Sequence, residues 1–204
     1  MSTHTVFVVD DESSVRKSLE RLLRAAGYHV ESFASADEFL RGEPEERIGC
    51  LVLDVKMPDL DGLELQQVLA EADRCLPIVF ITGHGDIPTS VRAMKAGAVD
   101  FLAKPFDADD LLAAIERALE AAGNQASKRA ERAEIERRLA ALTPREQEVL
   151  RHVITGQLNK QIAADLGTSE KTIKVHRGRA MRKMQVQSVA ELVRLCEKVG
   201  IHGP

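Results

Sequence analysis

The chain has 204 residues, 44% hydrophobic and 29% charged, which is comfortable for two soluble domains with real cores. No apolar run reaches the roughly 20 residues of a membrane span. The opening Met1-Ser2-Thr3-His4 lacks the pattern of a secretory signal, so the expected setting is cytoplasmic, with no membrane partner. The net charge of −4 conceals a split: residues 1–122 carry 12 Lys+Arg against 23 Asp+Glu (12 − 23 = −11), and residues 123–204 carry 16 against 9 (16 − 9 = +7). Such a reversal suits an acidic cation-binding or signalling half and a basic half facing an anion, nucleic acid being the usual one.

Taken in order, the first half alternates short β-rich runs with amphipathic helical patterns. Strands are predicted at 5–9, 29–33, 50–53, 78–81 and 99–102. After the first, Val15, Leu19, Leu22, Leu23 and Ala26 share one helical face closed by Gly27. Further helical patterns lie near 35–41, 61–72, 87–96 and 107–121. Five strands alternating with five helices predict a parallel, doubly wound α/β sheet. The third and fourth strands are nearly continuous apolar runs, as strands covered on both faces should be. From 123 to 141 the composition turns to Ala, Arg and Glu. Ile135, Leu139 and Leu142 share a helical face there, so a helical linker is predicted, with continuity into the fifth helix left open.

The remainder, 142–204, reads as all-helical. Thr143-Pro144-Arg145-Glu146 and Ser188-Val189-Ala190-Glu191 are capping boxes, the first with Pro at the opening helical position. Between them a short helix after Asn159 and a longer one after Ser169 flank a turn at Gly167. Cys50, Cys75 and Cys196 are odd in number and widely spaced, which argues against disulfides and zinc.

Chemistry concentrates at the predicted strand ends: Asp10 and Asp11 after the first, Asp54 after the third, Thr82 after the fourth, Lys104-Pro105 after the fifth. In open α/β sheets ligands bind outside those carboxyl ends. Three gathered carboxylates repel unless a cation joins them. Mg²⁺ fits, because it prefers oxygen ligands, keeps waters and often bridges to phosphate. Lys104 supplies a positive charge and the Thr82 hydroxyl a donor for phosphoryl oxygens.

The stretches VVDD (8–11), LVLDVKMPDLDG (51–62), FITGHGD around Thr82 and FLAKPF (101–106) resemble the receiver domain of two-component response regulators. That resemblance implies a flavodoxin-like fold in which Asp54 accepts a phosphoryl group from a histidine kinase. It implies that Asp11 and Asp54 bind Mg²⁺ (or Mn²⁺) directly with the Lys56 carbonyl, Asp10 acting through water. Lys104 would pair with the acyl phosphate, the Lys104–Pro105 bond would be cis, and Thr82 with Phe101 would form the switch pair. Lys56 and His84 would flank the path of attacking water. A phosphoryl acceptor of this kind works by positioning and charge neutralisation rather than as a turnover enzyme.

In residues 169–184 six of sixteen are Lys or Arg, with Ile173, Ala180, Met181 and Met184 assigned to the inward face. A helix opening at Ser169 with cations on its outer arc suits the DNA major groove. The stretches LTPREQEVL, GQLNKQIAADLGTSEKTIKVHRGRAMRKM and SVAELVRL resemble the four-helix LuxR-type helix-turn-helix domain of NarL/FixJ regulators, and the chain as a whole resembles the FixJ branch. By that resemblance 159–166 is the scaffold helix and 169–184 the recognition helix. Lys174, Val175 and Gly178 would face base edges. Gly178 departs from the longer side chains usual there, with Arg177 or Arg179 as substitutes. Lys160, Lys171, Arg179 and Arg182 would hold phosphates, which set register rather than sequence. His176 reads as structural.

The expectation is therefore a phosphorylation-gated transcription factor: receiver 1–122, linker 123–141, DNA-binding domain 142–204. Its partners would be a sensor histidine kinase, double-stranded promoter DNA, RNA polymerase and, when phosphorylated, a second copy, with transcription activated. Two rivals remain in view. One is a receiver whose helical half binds protein or RNA. The other is a hydrolase using Asp54 as nucleophile, disfavoured because its Asp-x-Asp pattern would need an acid where Lys56 stands.

Overall fold

The computed structural model describes residues 4–42, 48–72, 74, 76–83 and 87–204. The chain divides into two compact units, Met1–Ala126 and Ser127–Pro204.

The first unit alternates β1 (Thr5–Val9), α1 (Ser13–Ala25), β2 (His29–Phe33), α2 (Ala36–Gly42), β3 (Gly49–Asp54), α3 (Gly62–Glu71), β4 (Ile78–Thr82), α4 (Ile87–Lys95), β5 (Asp100–Ala103) and the start of α5 (Ala108–Ala140). All strand pairs are parallel, in the order β2-β1-β3-β4-β5. This is the expected flavodoxin-like order, whose switch point lies between β1 and β3.

Strand side chains alternate between two cores. Val6, Val8, Cys50, Val52, Val79 and Ile81 pack with Leu19, Leu23, Leu111 and Ile115 of α1 and α5. Phe7, Val9, Leu51, Leu53 and Phe80 pack with Phe39, Leu65, Leu69 and Ala93 of α2, α3 and α4. Helices on both faces explain why β1, β3 and β4 are buried throughout. β3 and β4 each run one residue past their predicted ends, and β5 starts and stops one residue later than predicted.

The second unit holds the end of α5 with α6 (Pro144–Ile154), α7 (Asn159–Asp165), α8 (Glu170–Lys183) and α9 (Val189–Lys198). The side chains of Thr143, Ser169 and Ser188 accept from Glu146, Thr172 and Glu191 backbone N–H groups, capping α6, α8 and α9. The turn from α7 to α8 closes with Thr168 N–H on the Ala163 carbonyl at 2.9 Å, and Gly167 takes φ +60° there. Glycine meets that left-handed conformation without strain. Val149, Val153, Ile162, Ile173, Ala180, Met184 and Leu192 form the core.

The predicted linker is helical and continuous with the fifth helix, the point the sequence left open. α5 is unbroken from 108 to 140. Its Ile135 is 2% exposed in the second core, with Leu139 packed against it. The face shared by Ile135, Leu139 and Leu142 thus finds its apolar partner within the second unit. Among the described residues, no helix is long and apolar enough to cross a membrane.

Candidate functional site

β1 and β3 end side by side at the switch point, and the backbone there aims two carboxylates inward. Asp10 is fully buried; its Oδ1 accepts from the Glu12 N–H at 2.8 Å and its Oδ2 from Lys104 Nζ at 2.7 Å. Asp54 is the last residue of β3 and 6% exposed. Its Oδ1 accepts from Lys104 Nζ at 3.0 Å and its Oδ2 from the Lys56 N–H at 3.1 Å. One ammonium therefore bridges two buried carboxylates. Gly62, opening α3, is needed for this packing: a Cβ there would collide with the Asp54 carbonyl oxygen.

Burial raises the Asp54 pKa above its ordinary value and the negative charge of Asp10 adds to that, against the opposing effect of Lys104 and the Lys56 N–H. Burial works against the Lys104 ammonium, but its hydrogen bonds to Asp10 and Asp54 outweigh that, and its pKa is raised. Lys104 is thus held charged between them.

Thr82 ends β4, 1% exposed, and its carbonyl accepts the Lys104 N–H at 2.7 Å. The register pairs Phe80 with Phe101 and Thr82 with Ala103. Thr82 and Phe101 therefore lie on the same sheet face. The half-buried Phe101 ring sits 6.2 Å from that of Phe80. The Lys104–Pro105 bond is cis.

Asp11 is exposed, and among the described residues no three acidic, His or Cys side chains already stand as a metal-binding group. Of the three carboxylates expected to gather, Lys104 joins Asp10 and Asp54, while Asp11 is exposed. The donor set still suits a hard divalent cation: two buried carboxylates share one ammonium, and Asp11 adds a third carboxylate on the same turn. Arg16, which the sequence did not single out, donates from Nη1 to the Asp10 carbonyl at 2.6 Å and the Asp11 carbonyl at 2.9 Å. It fixes the turn that carries both acids. The Lys56 side chain is exposed; His84 and Cys75 lie outside the described residues.

In the second unit α8 buries Ile173, Ala180 and Met184 and leaves Lys171, Lys174, Val175, Gly178, Arg179 and Arg182 exposed, with Lys160 exposed on α7. Arg177 departs from that arc. It is half-buried, and its Nη1 donates to Asn159 Oδ1 at 2.9 Å, tying α8 to the start of α7. His176 is half-buried, and its Nδ1 has no hydrogen-bond partner among the described residues.

Two anchors of α8 carried no sequence signal, because their partners are remote in the chain. Arg138 donates to the Met184 carbonyl at 3.1 Å and is itself held by Glu134 at 2.8 Å. Lys183 donates to the Ala141 carbonyl at 3.0 Å and to the buried Glu146 at 2.7 Å. Lys183 and the Thr143 N–H together hold the Glu146 carboxyl below its ordinary value.

Residues 6–116 match the family described as response regulator receiver domain, and residues 140–196 match that described as bacterial regulatory proteins, luxR family. The response regulator protein TodT of Pseudomonas putida is 46% identical over 194 residues, spanning 95% of this chain and 86% of TodT. The transcriptional regulatory protein FixJ of Bradyrhizobium diazoefficiens is 45% identical over 196 residues, 96% of each chain. The solved structure of the response regulator StyR superposes with a TM-score of 0.84 at 51% identity, covering 96% of this chain and 99% of that one.

Proposed function

This chain belongs to the FixJ-like response regulators, which join a receiver domain to a luxR-type DNA-binding domain, and on that premise we propose that Asp54 is its phosphoacceptor and α8 its DNA-reading helix. The chain is a transcription factor rather than an enzyme, with a sensor kinase and DNA as partners by virtue of its two domains. Phosphorylation-dependent regulation is the general mechanism of its family.

The observation that carries the assignment is the Lys104 bridge between Asp10 and Asp54 at the carboxyl end of the sheet. A carboxylate oxygen of Asp54 attacks the phosphorus of the kinase's phosphohistidine. The new O–P bond forms as the N–P bond breaks, and the imidazole leaves with the bonding electron pair. Small acyl phosphates serve the same way, and slow hydrolysis returns the carboxylate and inorganic phosphate. Mg²⁺ or Mn²⁺, held by Asp11, Asp54 and the Lys56 carbonyl with Asp10 through water, would neutralise phosphoryl oxygens when bound. Lys104 pairs with the acyl phosphate, while the Thr82 hydroxyl turns toward it and the Phe101 ring moves inward. Residues 1–122 thus act as phosphoacceptor domain, 123–141 as connector and 142–204 as DNA reader, in the cytoplasm.

The switch pair borders α4, where Val91 and Met94 are 43% and 45% exposed and Ile87 is 80% exposed. An apolar stripe of this kind marks an interaction surface. Together with Lys95 and Val99 it forms the dimer face of the phosphorylated protein. On α8, Lys174, Val175 and Gly178 meet base edges, and Lys171, Arg179 and Arg182 with Lys160 hold phosphates. Arg177, committed to Asn159, serves the fold of the reading head, and His176 is structural. The bound dimer recruits RNA polymerase and activates transcription.

The test is intact-mass analysis after incubation with acetyl phosphate and Mg²⁺. Wild-type chain should gain one phosphoryl group and Asp54→Asn none; full labelling of the Asn variant would refute the assignment.

A further inference from the structure

Glycine is the poorest helix former after proline, so a glycine inside a helix calls for a reason. Gly178 lies within α8, its φ is not positive, and a Cβ there would meet nothing within 4 Å among the described residues. Neither conformation nor packing requires it. At roughly 100° per residue, Gly178 lies about 160° around the helix from the buried Ala180, near the centre of the exposed arc. Val175, one turn earlier on the same arc, is an exposed aliphatic side chain at 45%. Lys174 and Lys171 flank them, both exposed. Arg182 turns back along the helix, its Nε donating to the Gly178 carbonyl at 3.3 Å, without entering the space above the Gly178 Cα.

The outer face of α8 therefore carries a notch in its side-chain cover, open space over the bare Gly178 Cα, with the exposed Val175 one turn earlier on the same arc and cations around both. Resting on the reading of α8 as the base-facing helix, the geometry points to this notch as a specificity element that receives the C5-methyl group of a thymine. Bare Cα beside an exposed aliphatic side chain offers nothing to the donors and acceptors of the other base edges, whereas the thymine methyl is the one apolar group the major groove displays. The surrounding cations bring phosphates near but do not select a base. The glycine thus exchanges helix propensity for shape at the interface.

The test uses the full chain treated with acetyl phosphate. Duplexes are enriched from a random pool, and each thymine is then replaced singly by uracil, which removes only the methyl. One thymine in each half-site should be invariant, and its replacement should weaken binding about fourfold, the worth of one buried methyl. Val175→Ala should bring the thymine-to-uracil ratio toward one. Gly178→Leu, a good helix former at an exposed site, should invert it. Lys174→Ala is the control for the underlying reading: if it leaves specific affinity intact, α8 does not face the bases and the reading itself fails. If Lys174→Ala impairs binding but no uracil substitution does, or if Gly178→Leu weakens thymine and uracil duplexes equally, the notch is refuted while the reading survives.

Discussion

Lys104 is a single ammonium serving two buried carboxylates, Asp10 at 2.7 Å and Asp54 at 3.0 Å. Each acid also accepts a backbone N–H, from Glu12 and Lys56 respectively. The cluster still has more negative than positive charge, which is the electrostatic reason a divalent cation would suit it. Lys104→Met keeps the stem and removes the charge, leaving buried carboxylates without their ionic partner at a cost on the order of 1–3 kcal/mol. The thermal midpoint of the receiver transition should fall in EDTA, and millimolar Mg²⁺ should narrow the deficit. An equal deficit with and without Mg²⁺ would contradict the cation-deficient picture. Glu146 allows a pH test in the other unit. Its folded-state pKa lies below the ordinary 4.5, so its stabilisation is complete above that pH and is lost as pH falls through the lower folded value. In urea titrations across pH, wild type should lose stability faster than Glu146→Gln on acidification below 4.5, with a constant difference near neutrality. Parallel curves would mean that the Lys183 and Thr143 contacts do not favour the charged form.

Among the elements, those legible in the sequence were the ones written locally. The strands are short apolar runs and the caps are three-residue spacings, so β1, β2, the box at Thr143 and the Ser188 cap stand where the pattern put them, whereas the second half of the box expected at Ser188 does not form: Glu191 accepts from the Gln187 N–H. Asp10, Asp54, Thr82 and Lys104 were legible as strand-end residues because a parallel sheet collects those ends. Their partition was not. Lys104 lies 94 positions from Asp10 and 50 from Asp54, and no local rule says which carboxylate it holds. Arg177 looked like one more cation of α8 until Asn159, 18 positions away, was found to take its guanidinium. The stretch after Gly123 reads as a helical linker from its Ala, Arg and Glu content and the apolar face of Ile135, Leu139 and Leu142, but what that face packs against is not written locally: Ile135 contributes to the second core. Ile135→Ala should therefore cost the DNA-binding unit about 2–5 kcal/mol, as buried truncations do. A solvent-exposed linker position would change stability by only about 0.5 kcal/mol either way. Calorimetry of the second unit's transition distinguishes the two, and an unshifted midpoint would remove α5 from that core.

At the scale of the whole molecule, charge and chemistry divide along the chain. The −11 of residues 1–122 lies in the half that holds the proposed phosphoacceptor site, and the +7 of residues 123–204 suits a polyanion. Neither half explains regulation alone; that requires phosphorylation in one to change affinity in the other. A coupling of this kind is a free energy, typically about 1–3 kcal/mol or roughly 5- to 150-fold in affinity. It is measured most directly by fluorescence anisotropy of an enriched duplex titrated with the full chain, with and without acetyl phosphate and Mg²⁺. Wild type should bind at least about fivefold more tightly when phosphorylated, and Asp54→Asn should give the same weak curve in both conditions. An Asn variant that tightens as wild type does, or a fully phosphorylated wild type whose affinity is unchanged, would contradict the account.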